Sequence, residues 1–157
     1  PEADPASLGA LVSVEQAQAA APDALRRLAA LLPAQVPLAE QIASRFRLSG
    51  AQKKRLATAA ARDGDPGDAR ALAYRLGLES ALDRLLLAGA DTTPLAGWDI
   101  PVFPLKGGQI VARGVGAGPE VARTLRRVED RWIAEGFPDE ARVMALLDAE
   151  LASHPGG

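Results

Sequence analysis

The chain has 157 residues, a net charge of −2 at pH 7, no cysteine, one histidine, and only 4% aromatic residues. Without cysteine there is neither a disulfide framework nor a thiolate metal site, and a reducing, cytoplasmic setting is the expectation. The acidic balance argues against a surface that is basic throughout, and no apolar run reaches the ~18 residues of a membrane span.

Alanine and leucine dominate while β-branched and aromatic residues are scarce, a composition that favours helix almost everywhere. The expected fold is all-α, a bundle of about seven to nine helices. The first residue is a proline, which fits a trimmed product or a piece of a longer protein. Charge is unevenly spread. Residues 41–62 hold Arg45, Arg47, Lys53, Lys54, Arg55 and Arg62 with no acid, and a second, weaker basic block spans 102–135.

In "VSVEQAQAAAPDALRRLAALLPAQVP" a short helix precedes a clear one running from Asp23 to about Leu32. Asp23 is the expected cap, and Leu25, Leu28, Leu31 and Leu32 form an apolar stripe. Pro33 and Pro37 close one element and open the next, and Leu38, Ile42 and Phe46, four apart, read as one buried face. Ser49 and Gln52 have the spacing of a capping box. Lys53, Lys54 and Arg55 then fall in the first turns of that helix, where its dipole disfavours cations.

Farther on, Asp65 and Pro66 read as a cap and first helical position, and Gly77 separates two short helices. Leu82, Leu85 and Leu86 belong to the expected core. The segment "TTPLAGWDIPVFP" reads as a loop anchored by Trp98 and Phe103, and it suggests division into a helical body, 1–95, and a helical tail, 96–157. In the tail, Val121, Leu125, Val128 and Trp132 recur at helical spacing, as do Val143, Leu146, Leu147 and Leu151 in a last helix.

No catalytic centre is legible. The one histidine, His154, lies in the terminal "SHPGG", away from any nucleophile. Asp63, Asp65 and Asp68 do not form a calcium loop, because the twelfth position counted from Asp63 is Tyr74. Gly107 and Gly108 are not followed by the lysine and hydroxyl of a phosphate loop. No cofactor or metal is expected in this chain.

Binding is the better reading. In "RGVGAGPEV" a short helix ending near Arg113 meets a longer one through Gly114, Gly116 and Gly118. Glycine permits positive φ, and the free N–H groups at a helix start attract phosphate. If Val121, Leu125 and Val128 turn inward, then Arg123, Arg127 and Arg131 share an outer face beside Arg126. Such a corner could hold a nucleic-acid backbone without reading sequence. It could equally be a sharp turn beside a solvated face, with Arg126 paired to Asp130.

The stretch "FPLKGGQIVARGVGAGPEVARTLRRVEDRWIAEGFPDE" resembles the C-terminal region of bacterial CCA-adding enzymes of the poly(A) polymerase family. "LRRLAALLP" and "RFRLSGAQKKRLATA" are similar to that family's helical middle, so the resemblance covers about Asp23 to Leu151. Lys106, Gly107, Gly108, Gly114, Gly118 and Pro119 align with its late motif, but Gln109 stands where the family usually has aspartate. The resemblance implies an all-helical body and tail that hold tRNA. It implies too that CMP and AMP transfer from CTP and ATP, with Mg²⁺, belongs to an N-terminal head partnering this chain. This chain alone is then non-catalytic. Two other readings are a helical interaction module, dimeric or packed on another protein, and a helix-hairpin-helix DNA-repair domain.

Overall fold

The computed structural model describes residues 3–63 and 65–153, and His154 lies outside them. Among the described residues the fold is all-α: nine α-helices, one 3-10 turn and no strand. The helices are α1 (Pro5–Ala17), α2 (Ala24–Leu31), α3 (Val36–Arg45), α4 (Gly50–Ala60), α5 (Ala69–Leu76), α6 (Leu78–Leu87), α7 (Gly107–Ala112), α8 (Pro119–Ala134) and α9 (Glu140–Ser153). Contacts divide the chain into two compact units, Pro1–Ile100 and Pro101–Gly157.

In the first unit the helix starts are written in side chains. Asp4 caps α1, Asp23 caps α2 by accepting the Arg26 amide at 3.0 Å, and Ser49 and Gln52 form both bonds of the capping box on α4. The cap of α5 is Asp68, not Asp65. Asp68 accepts the Ala71 amide, whereas Asp65 closes a turn onto the Gly67 amide, because the chain turns extended again before the helix begins. Gly77, at φ 89°, separates α5 from α6.

The buried face of α3 also differs from the expectation. Ala39 and Ala43 are buried, Leu38 and Ile42 are half-buried, and Phe46 is 61% exposed. The small alanines let α3 lie close on α4, where Leu56, Ala59 and Ala60 meet them. The helix then ends in a Schellman turn: Leu48 N–H donates to the Ala43 carbonyl at 3.0 Å and Arg47 N–H to that of Ser44 at 3.1 Å. Arg47 occupies the position that glycine normally takes, at φ 54°. A left-handed conformation there is disfavoured by roughly 1–2 kcal/mol for a residue with a Cβ.

Beneath these helices lies a buried ionic cluster. Arg26 of α2, 7% exposed, donates through Nε to Asp83 of α6 at 2.9 Å and through Nη1 to Glu15 of α1 at 3.0 Å. Arg55 of α4 reaches the same Asp83 at 2.7 Å, and Asp23 at 3.0 Å. Four helices are thus tied through groups that burial would otherwise penalise heavily. Arg62 works alone nearby: its guanidinium donates to the carbonyls of Ala29 and Leu32 where α2 ends, and burial lowers its pKa.

The second unit is a three-helix arrangement in which α8 packs on both α7 and α9. Val128, Trp132 and Ile133 of α8 are buried, as are Val143, Leu146 and Leu147 of α9. Trp132 sits between Phe103 and Phe137, with ring centroids at 5.0 and 4.9 Å, and its indole N–H donates to the Pro138 carbonyl. A Cβ at Gly107 would stand 3.2 Å from Val121 Cγ1, so this glycine lets α7 lie against the first turn of α8.

Candidate nucleic-acid interface

The corner between α7 and α8 is open to solvent. Gly114, Gly116, Ala117, Gly118 and Pro119 are exposed, and Val115 alone turns into the core. Gly114 has φ 97° and Gly118 φ 133° with ψ −156°, the latter a region that is essentially glycine's own. Among the described residues the amides of Gly116, Ala117, Gly118 and Glu120 meet no acceptor, and no side chain caps the sixteen-residue helix α8. These N–H groups lie at or just before the end of α8 where the helix dipole is positive.

Gln109 closes the start of α7: its Oε1 accepts the Lys106 amide at 2.8 Å. Lys106 and Gly108 are exposed, and Gly107 is half-buried through its contact with Val121. Arg113 turns from the corner to an ion pair with Asp148 of α9.

The arginines of α8 do face outward, but acids are threaded among them. Arg123 pairs with Glu120 at 2.8 Å, Arg127 lies 3.8 Å from Glu120 and 3.6 Å from Glu150, and Arg131 is 4.0 Å from Glu150. Arg126 is exposed and has no ion pair among the described residues. Sequence reading saw the arginines' spacing and missed both acids. Glu120, one turn before Arg123 and Arg127, was the readable signal; Glu150 reaches the row only through the packing of α8 on α9.

In the first unit, Lys53 and Lys54 are exposed and unpaired among the described residues, whereas Arg55 is drawn inward. Its hydrogen bonds to Asp83 raise its pKa, burial notwithstanding. Lys53 and Lys54 therefore present charge to solvent, while Arg55 spends its charge on the cluster. Among the described residues no group of three or more histidines or acids is placed to hold a metal ion, and no helix is long and apolar enough to cross a membrane.

No protein-family model matches this chain, and no curated protein matches it significantly.

Proposed function

We propose that this chain holds RNA by its sugar–phosphate backbone. In this reading it is the tRNA-binding helical region of a CCA-adding or poly(A) polymerase-family nucleotidyltransferase, as the resemblance of residues 103–140 implies. The observation that carries it is the solvent-open corner at the start of α8, with four amides lacking an acceptor at the head of the helix that carries Arg123 and Arg126. A phosphate oxygen there would meet oriented N–H donors and the helix dipole together. Such a grip reads A-form shape and backbone, not base sequence. Nucleotide addition, with Mg²⁺ and CTP or ATP, would belong to a catalytic head joined to this region, in the cytoplasm.

The test is fluorescence anisotropy of labelled tRNA with the full chain across a salt series. Binding is expected to fall steeply with salt, and exchanging Lys53, Lys54, Arg123 and Arg127 for glutamate should abolish it. No binding at low salt, or binding untouched by the four reversals, overturns the reading. The second reading, a dimerisation or interaction module, draws on Val102 and Val111, which are 88% and 42% exposed. Sedimentation that reveals a salt-insensitive dimer indifferent to tRNA would favour it.

A further inference from the structure

The junction of α3 and α4 carries a feature that the glycine corner does not use. Arg45, Phe46 and Arg47 follow one another through the Schellman turn, and all three are exposed. Phe46 is the most exposed of the chain's three phenylalanines; Phe103 and Phe137 both pack on Trp132. Arg45, Arg47, Lys53 and Lys54 have no ion-pair partner among the described residues. Two open depressions lie nearby, the first on α3 alone and the second between α3 and α4, and neither is lined by Phe46 or Arg47. One is lined by Pro37, Glu40, Gln41, Ser44 and Arg45, and the other by Glu40, Ser44, Lys53, Lys54 and Ala57. Glu40 is the one acid bordering either, so the patch keeps a clear positive excess.

The backbone shows how Arg47 is presented. Arg47 holds a left-handed conformation in the helix-ending slot where glycine serves best. Ala19, in the same kind of turn at the end of α1, and Phe137, after α8, are also left-handed, so the helix-ending turn itself accounts for the conformation. What distinguishes Arg47 is its charge: it is exposed and has no ion-pair partner among the described residues, so the turn presents a cation directly after Phe46.

We propose that this patch takes a single-stranded segment of RNA, with one base stacked on the Phe46 ring and neighbouring phosphates held by Arg45, Arg47, Lys53 and Lys54. An aromatic face set among cations is what an unpaired strand requires, because every base offers a π-face and every linkage a charge. A membrane surface would call for further apolar side chains around Phe46, yet Ile42 and Leu48 are turned half into the core. The choice of RNA over other single strands rests on the function proposed above.

The test uses the full chain and a labelled oligouridylate of about a dozen nucleotides, within the footprint such sites show. Phe46→Ala should weaken binding by about 5- to 150-fold, the usual effect of deleting a stacking platform, while Phe46→Trp retains it. Arg47→Asn, which tolerates the left-handed turn, should lower the salt slope by about 0.7 and leave the melting temperature equal or higher. The proposal is overturned if both variants stay folded and bind the oligomer as the parent does. It is overturned equally if Phe46→Ala abolishes binding to phosphatidylglycerol vesicles and leaves the oligomer unaffected. Its fate separates from that of the glycine corner. tRNA binding lost with Arg123 and Arg127 reversed, but untouched by Phe46→Ala and Arg47→Asn, upholds the corner and sinks this patch. Oligomer binding lost in Phe46→Ala, with tRNA indifferent to the α8 reversals, upholds the patch and sinks the corner.

Discussion

Replacing Asp83 by asparagine should expose how the first unit is held together. The carboxylate is 1% exposed; Oδ1 accepts from Arg26 Nε at 2.9 Å and Arg55 Nη2 at 2.8 Å, and Oδ2 accepts from Arg55 Nε at 2.7 Å. Asparagine keeps the volume, removes the charge, and turns an NH₂ towards a guanidinium that needs an acceptor. Removing one partner of a buried pair typically costs about 3–5 kcal/mol. The low end applies here, because Arg26 retains Glu15 at 3.0 Å and Arg55 retains Asp23 at 3.0 Å. A loss of about 3 kcal/mol is a large share of the 5–15 kcal/mol that holds an ordinary domain folded. Each unit contains one tryptophan, Trp98 in the first and Trp132 in the second. Urea unfolding followed by Trp98 fluorescence in a Trp132→Phe background therefore reads the first unit by itself. Asp63→Asn is the control, since that side chain is 88% exposed and 3.5 Å from Arg84, and such surface pairs contribute about 0–1 kcal/mol. If Asp83→Asn unfolds within about 1 kcal/mol of the parent, the cluster does not hold the helices as described.

Gly118→Ala should destabilise the second unit by about 1–3 kcal/mol in urea, whereas Gly116→Ala, with ordinary φ and open space around it, should change little. Burial pushes the Asp23 carboxyl up, but the Arg26 amide and the Arg55 guanidinium outweigh it and hold its pKa below the ordinary 3.8. A depressed native pKa gives stability that is present above the ordinary value and lost as pH falls through the native one. The urea midpoint should therefore drop on acidification below pH 3.8, and less so in Asp23→Asn. Glu120→Gln frees Arg123 and Arg127 from their shared partner and should tighten tRNA binding in the anisotropy assay; unchanged or weaker binding counts against phosphate contact at α8.

The all-α fold was legible because it is written locally, in leucine spacing and in caps such as Asp23 and Ser49 with Gln52. The reading failed where a decision depended on what lies opposite. Leu38, Ile42 and Phe46 have a helical period, yet two alanines one position away make the contact, because α4 comes too close for larger side chains. The sequence places Arg26, Glu15 and Asp83 in no expected core, since a charge is ordinarily read as surface. A signal did exist. Glu15 follows Leu11 by four residues, Arg26 precedes Ala29 and Ala30 by three and four, and Asp83 precedes Leu86 by three, so each charge is in phase with buried positions. Opposite charges in phase with apolar stripes on different helices mark a buried pair. At the glycine corner the reading found the bend and the cations, but Glu150 enters from α9 and no local pattern announces it.

The two basic regions should accordingly differ in how they attract an anion. On α8 the acids Glu120 and Glu150 stand within 4.0 Å of the arginines, so the field seen from a distance is largely cancelled. Exchange of Glu120 for a phosphate is nonetheless cheap, because exposed ion pairs contribute little and a phosphate meets the same guanidinium as well as the free amides. Attraction there is short-ranged and sets position. At the α3–α4 junction, Arg45, Arg47, Lys53 and Lys54 face solvent with Glu40 as the bordering acid, so their field is not cancelled locally. Long-range capture and most of the salt dependence should then originate in the first unit, and registration of the backbone at the start of α8. On the proposed reading, a net charge of −2 is no obstacle to holding a polyanion, because the excess acid lies outside residues 41–62, where no acid occurs at all.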